Sequence, residues 1–475
     1  MTPKSSTNII RTAIGLGLVA LLHGLVFIVL LPQWMGEDEP WHFENVVMVA
    51  QGHGLQSDYE YTADDWLVAP DSHLQAKRRF RGSDLEGIKA QEDRILQSMA
   101  RKGFWRRVDW AGRSTNVQSF DGVRPNFSAA HQPPLYYWLA APLLLIFPDA
   151  EPRFQLTLLR LLALVLFVGT VLLTYAAAVR ALPKGPGAML ATLFIALWPM
   201  SARSSAVVSN DVLARFLVAL LFFMAVYWLK AANAPDASDP EAAPKRKASI
   251  WWVPSMLLVC AMALFTKTTG ACTVVIVGLA ILLHPTSHKH MRGTVLALLA
   301  LGAVVVAGAG AWIGAHNPGV TLSVQENMSR LQGGFSSSKL AALRDSFVGR
   351  FNWESRGLDP DLAPYWGYVF LILAAVSLLT FMRSRDWLDR RILVLSWGAL
   401  FTQLILMAFR GVSKGRYLMP AGPALAIILV AGLFALLPKR LQQPVALFAV
   451  LTLVAFDGIF IWHGLAREAW LNWRW

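Results

Sequence analysis

The stretch HQPPLYYWLAAPLLLIF, His131 to Phe147, is apolar enough to enter a bilayer and short enough to stop inside it. From Pro133 it offers roughly 15 residues where a spanning helix needs about 20. It opens on two prolines, which suit a first helical turn because that turn needs no backbone N–H donors. Whether this segment crosses decides which side every later loop faces, and the charges of those loops give the answer.

Working outward, apolar runs of spanning length are read at 9–31, 156–179, 187–203, 211–230, 250–266, 268–284, 294–315, 365–382, 392–409, 417–437 and 443–463. Suppose Pro133–Phe147 does not cross and the N-terminus, with Lys4 and Arg11, lies inside. The short loops then inside carry Arg180 and Lys184; Lys245-Arg246-Lys247; Lys289 and Arg292; Arg383, Arg385, Arg390 and Arg391; and Lys439-Arg440. Every strongly basic short loop falls on one side, as the positive-inside bias demands; if the segment crossed, all would move outside. The reading is an all-α polytopic membrane protein with about eleven crossings, one half-inserted helix and an outer C-terminus.

Composition agrees. Of 475 residues, 55% are hydrophobic and only 15% charged, against about 25% charged in soluble chains. A soluble multidomain enzyme and a disordered scaffold are excluded. So is a transmembrane β-barrel, whose alternating segments of about 10 residues do not occur. The net charge of +13 follows from orientation signals, so membrane lipids with anionic headgroups are the expected acidic partners and nucleic acid is not. The two cysteines, Cys260 and Cys272, lie in or beside apolar runs and give no disulfide framework. The run Ile9–Leu31 is too long for a signal-peptide core and lacks an A-x-A cleavage site, so it is expected to be retained.

The chain accordingly divides into a first crossing (1–31), a long extracytoplasmic loop (32–155), a bundle (156–315) with a Pro/Ala/Asp-rich cytoplasmic linker (231–248), a second extracytoplasmic loop (316–364) and C-terminal helices (365–475). Within the first loop, Asp84 to Arg107 sets Leu85, Ile88, Ile95, Leu96, Met99 and Phe104 among charges, the pattern of a helix lying on headgroups.

Four polar clusters are expected at the outer face. Glu37-Asp38-Glu39 with His42 follows the first crossing. Adjacent acids raise one another's pKa unless a cation compensates, and a carboxylate at this depth is placed to act as a base; a solvated helix N-cap is the plainer reading. His131 and Tyr136 stand at the lip of the half-inserted helix, where interface anchoring is the plain alternative. Ser209-Asn210-Asp211 opens the fourth crossing, either as a cap or as a second converging acid. Lys267 and Arg416 sit in short outer turns that normally avoid cations. Arg offers a planar fork and Lys a point charge for phosphate oxygens, with snorkelling as the alternative. Ionisable residues inside the crossings are few, Asp457 being the clearest, and no P-loop, H-E-x-x-H, G-x-S-x-G or Rossmann pattern occurs.

The order Asp38-Glu39, His131-Gln132-Pro133-Pro134-Leu135-Tyr136-Tyr137, Asp211 after Trp198-Pro199, and Gly415-Arg416-Tyr417-Leu418-Met419-Pro420 resembles that of the GT-C superfamily of membrane glycosyltransferases. The likeness is to the protein O-mannosyltransferase and aminoarabinose transferase branch. The resemblance implies inverting transfer of a sugar from a polyprenyl-phosphate donor to an acceptor on the outer side. It makes Asp38 the catalytic acid that acts as base, with Glu39 and Asp211 as further candidates. Arg416 and Lys267 would engage the donor phosphate, and His42, His131, Tyr136 and Tyr417 would complete substrate binding. Glu37-Asp38-Glu39 is not the Asp-x-Asp of metal-dependent oligosaccharyltransferases, so a divalent cation, Mg or Mn, stays open without being implied. The second outer loop, about 50 residues, is too short for a peptide-recognition domain and favours a lipid, glycan or cell-envelope acceptor. The resemblance places the chain in a bacterial inner membrane, with an envelope-synthesis protein as a further partner. Two other classes compete. A glycolipid flippase predicts polar residues paired along a midplane path, and a non-catalytic subunit predicts that Asp38 matters for assembly alone.

Overall fold

The computed structural model describes residues 3–34, 36, 38–52, 94–95, 97–99, 101, 132–183, 185–231, 251–284, 337–348, 363–383, 386–409 and 414–462. Their helices, numbered in chain order, are α1 Pro3–Leu30, α2 Glu39–Ala50, α3 Leu135–Ile146, α4 Pro152–Ala181, α5 Gly187–Leu197, α6 Pro199–Ser205 and α7 Asn210–Ala231. There follow α8 Trp252–Leu264, α9 Cys272–Leu283, α10 Ser337–Val348, α11 Ala363–Arg383, α12 Trp387–Phe409, α13 Gly422–Ala435 and α14 Lys439–Phe460. Single 3-10 stretches at Thr268–Ala271 and Gly415–Ala421 lead into α9 and α13. No strand occurs among the described residues.

Among the described residues, seven helices are long and apolar enough to cross a membrane: α1, α4, α7, α11, α12, the unit Gly415–Ala435 and α14. Shorter apolar helices are α3, α5, α8 and the unit Thr268–Leu283. The fold is therefore an all-α, polytopic membrane bundle. The run read as one crossing at 187–203 is in fact two helices. Trp198, preceding Pro199, is extended at ψ 119°, because the proline ring disfavours helical backbone in the residue before it. The expected span 294–315, the linker from 232 onward, Glu37, His131 and most of the Asp84–Arg107 segment lie outside the described residues.

The break at Trp198 has a packing consequence. Its indole is fully buried against Phe194, Phe347, Phe370 and Phe456, with ring centroids 5.1–5.4 Å away. Its Nε1 donates to the Phe347 carbonyl at 2.8 Å. One side chain thus joins α5, α10, α11 and α14, and such aromatic contacts add about 0.5–1.5 kcal/mol each beyond area burial. At Gly432 the two helices α11 and α13 approach so closely that an added Cβ would lie 1.9 Å from the Leu373 carbonyl oxygen. Small residues permit this kind of backbone contact in membranes. Asp457 of α14 pairs with His23 Nε2 of α1 at 2.7 Å, and His23 Nδ1 lies 2.7 Å from the Ala196 carbonyl. This buried polar contact fastens the first and last described helices to α5.

Candidate active site

The site begins where α1 ends. Arg160, one of the largest fully buried side chains, projects from α4 and donates to the carbonyls of Leu31 (2.9 Å) and Pro32 (3.1 Å). The same guanidinium grips Glu39 bidentately, Nε to Oε1 at 2.9 Å and Nη2 to Oε2 at 2.6 Å. Glu39 also accepts from the backbone N–H of Val208 (3.0 Å) and Gly36 (3.2 Å). Glu39 is completely buried, and both of its oxygens are occupied. It ties the turn after α1 to α4 and to the approach to α7.

That turn presents Asp38 the other way. Asp38 caps α2 in left-handed backbone, φ 59° and ψ 9°, a conformation Asp tolerates better than most residues. Its carboxylate pairs with the Arg416 guanidinium. The Asp38 side chain is 28% exposed and that of Arg416 only 5%, so the pair has an open acidic end and a buried basic end. Partial burial pushes the Asp38 carboxyl upward. The charge and hydrogen bond of Arg416, with smaller help from Lys414, outweigh it and hold the group below the usual 3.8.

Arg416 is itself held from several sides. It lies in the 3-10 stretch, where an added Cβ on Gly415 would come within 2.3–2.4 Å of the Phe347 backbone. The Gly415 N–H donates to Ser346 Oγ at 2.7 Å. Arg416 Cζ sits 4.9 Å from the centroid of the Tyr417 ring, and its Nη2 donates to the Tyr417 hydroxyl at 3.1 Å. Arg215 Nη2 donates to the Arg416 carbonyl at 3.3 Å. Lys267 Nζ stands 5.3 Å from the centroid of the same ring and 2.7 Å from Asp211 Oδ1. Asp211 sits in the first turn of α7, where the helix dipole favours an acid, and its N–H donates to Ser209 Oγ at 3.2 Å.

Helix α3 closes the arrangement. Leu135 N–H donates to the Phe265 carbonyl at 3.0 Å, and Asn210 Nδ2 donates to Gln132 Oε1 at 3.2 Å. Tyr136 and Tyr137 are fully buried. Tyr136 packs edge-on to Tyr137, with centroids 5.6 Å apart, and Tyr137 meets His42 of α2. A cleft lined by Met200, Arg203, Ser204, Val207, Ser209, Asp211 and Arg416 lies beside the two ion pairs.

The sequence thus nominated Asp38, His42, Tyr136, Asp211, Lys267, Arg416 and Tyr417, and the fold gathers them at one end of the bundle. Glu39 is adjacent to them but turned into the protein. Three arginines went unnoticed in the sequence. Arg160, Arg203 and Arg215 are all buried, and each has a serine, a carboxylate or the cleft beside it. Their signal was an arginine in or beside an apolar run, away from the basic loops. Among the described residues, no three His, Cys, Asp or Glu side chains converge in the manner of a metal site. Asp38 and Asp211 each face a cation, Arg416 and Lys267 respectively.

A bundle of this kind, with acids and arginines collected at one end, defines a multi-pass helical membrane protein with a charged cleft. The chain belongs to the family described as predicted membrane protein DUF2142, whose model matches residues 21–425. No curated protein matches it significantly. Among solved structures, it is similar to crystal structures of the Archaeoglobus fulgidus oligosaccharyltransferase. One, tethered with an acceptor peptide containing the NVT sequon via a disulfide bond, is 12% identical with a TM-score of 0.48, over 94% of this chain and 54% of that one. Another, in complex with Zn and sulfate, is 14% identical with a TM-score of 0.37, over 70% of this chain and 44% of that one. The chain therefore spans about half the length of that oligosaccharyltransferase.

Proposed function

We propose that this protein is a GT-C-type inverting glycosyltransferase, moving a sugar from a polyprenyl-phosphate donor to a lipid, glycan or cell-envelope acceptor. The reaction is assigned to the extracytoplasmic face of a bacterial inner membrane, the side to which the loop charges direct the four polar clusters. The observation that carries the reading is the Asp38–Arg416 pair, a carboxylate open at one end and a guanidinium buried at the other. Beside it, Arg203, Ser204 and Ser209 line the same cleft, a set of donors that suits phosphate oxygens.

In this reading the donor phosphate takes Arg416 away from Asp38, with Lys267 as a second cation. Burial then acts on Asp38 without its nearest opposing charge, and its carboxylate becomes a better base. The acceptor O–H gives its proton to Asp38 and its oxygen attacks the anomeric carbon from the face opposite the phosphate. The bond from that carbon to the phosphate oxygen breaks, and its electron pair leaves on polyprenyl phosphate, steadied by Arg416 and Lys267. Stabilising that developing charge in a dry site is the larger contribution to rate. Glu39, saturated by Arg160, serves as a strut.

Binding of polyprenyl phosphate to purified protein in lipid discs tests the anion site. Replacing Arg416 by Met removes one charged contact of about 1.5–3 kcal/mol, so the affinity should fall at least tenfold. Equal binding by both proteins would contradict the assignment.

A further inference from the structure

The backbone that carries Arg416 is held by side chains from three helices. The Gly415 N–H donates to Ser346 Oγ of α10 at 2.7 Å, and Arg215 Nη2 of α7 donates to the Arg416 carbonyl at 3.3 Å. Gln403 of α12 donates its amide N–H to the Tyr417 carbonyl. Chemistry settles the direction of each bond, since amide N–H and guanidinium groups only donate and carbonyls only accept. Ser346 gives its one proton to carbonyls of its own helix, Ala342 at 2.7 Å and Leu343 at 3.2 Å. Its oxygen is thereby left to accept from Gly415.

Contact between α10 and this stretch is made backbone to backbone. A Cβ added at Gly415 would lie 2.3 Å from Phe347 Cα and 2.4 Å from Phe347 N. The Phe347 carbonyl is in turn taken by Trp198 Nε1 at 2.8 Å. The last turn of α10 is thus bonded both to the helix break at Trp198 and to the start of the stretch that bears Arg416. Ser346 itself is buried, uncharged and absent from the residues that line the cleft. Its bonded route to the cleft is the Gly415 N–H, one residue before Arg416.

We propose that Ser346 is a positioning residue for Arg416: its bond to Gly415 fixes the backbone, so that the guanidinium alone moves between Asp38 and the donor phosphate. The stretch read from the sequence as the second outer loop then contributes to anion binding through α10, without touching the anion. The phosphate rests on the transferase reading, whereas the hold on the Arg416–Asp38 pair rests on the bonds above.

Two measurements test this on wild type, Ser346→Ala and Ser346→Thr in lipid bilayers. The first needs no ligand. Solid-state NMR of protein with 15N-arginine and 13C-aspartate reads the contact between Arg416 Nη2 and Asp38 Cγ, assigned by the signal lost in Asp38→Asn. It should weaken in Ser346→Ala and persist in Ser346→Thr, which keeps the hydroxyl. An unchanged contact in Ser346→Ala, or an equal loss in Ser346→Thr, would overturn the proposal. The second measurement is the affinity for undecaprenyl phosphate. Losing one neutral hydrogen bond should weaken it about two- to tenfold in Ser346→Ala. The same substitution should add nothing in an Arg416→Met background, where the residue it acts through is gone. An equal loss in both backgrounds, or no loss in either, would overturn the positioning role while the transferase reading survives. If the wild type does not bind the lipid although its ion pair responds to Ser346→Ala, the transferase reading fails. The role toward phosphate then fails with it, and the hold on Arg416 stands.

Discussion

Arg416 and Asp38, separated by 378 positions in the chain, form an ion pair whose acidic end is open and whose basic end is buried. The pairing explains why an acid beside two others need not have a raised pKa. Its neighbour Glu39 is neutralised by Arg160, and Asp38 itself by Arg416. It also implies an order of events, since an anion that recruits Arg416 leaves Asp38 without its nearest counter-charge.

Arg160 is the keystone of the turn that aims Asp38. Removing one partner of a buried ion pair typically costs about 3–5 kcal/mol, because the other charge is left without compensation. Arg160→Met should therefore lower thermal stability by that order, read by scanning fluorimetry in detergent. Arg160→Lys should recover only part of it, since an ammonium cannot reproduce the fork that spans Glu39 and two carbonyls. Full stability in Arg160→Met would show that the turn is held by other means.

Much of this site was legible in the sequence, and the reason is physical. Lys267 and Arg416 stood out because cations in short outer turns run against the orientation bias. Asp211 stood out as an acid at the start of an apolar run. Arg160 and Arg215 did not, because an arginine within a spanning helix gives no hint of its partner until α4 and α7 are packed. Glu39 and Asp38 gave the same signal as neighbours, and only the left-handed backbone at Asp38 separates their directions. The run at 187–203, read as one helix, is broken at Pro199, whose effect on Trp198 was readable in the sequence.

The close approach at Gly432 makes a sharp contrast with Gly15. Alanine at 432 would drive its Cβ into the Leu373 backbone, whereas at Gly15 nothing lies within 4 Å. Overpacking costs roughly 1–3 kcal/mol, and Gly432→Ala should destabilise by about that much. Gly15→Ala should be neutral or slightly stabilising, given alanine's helix preference. Equal melting temperatures for the two variants would argue against the α11–α13 contact.

His42 gives stability a pH dependence. Its folded pKa is about 3 against an ordinary 6.5, so below pH 6.5 the unfolded chain takes up a proton that the folded one refuses. Its contribution is complete above pH 6.5 and is lost as the pH falls toward 3, with a limiting slope of about 1.4 kcal/mol per pH unit. Denaturation profiles of wild type and His42→Gln between pH 4 and 7 should diverge, the variant losing less stability on acidification. Parallel profiles would mean that His42 protonates freely in the folded protein.

The central claim is that Asp38 removes the acceptor's proton during sugar transfer, and turnover tests it most directly. Purified protein in lipid discs would be given polyprenyl-phosphate sugars and candidate acceptors, with release of free polyprenyl phosphate followed by mass spectrometry. Wild type should release it, and Asp38→Asn should do so at least about a hundredfold more slowly, the lower end of what a positioned base contributes. Release at equal rates by the two proteins would contradict the account.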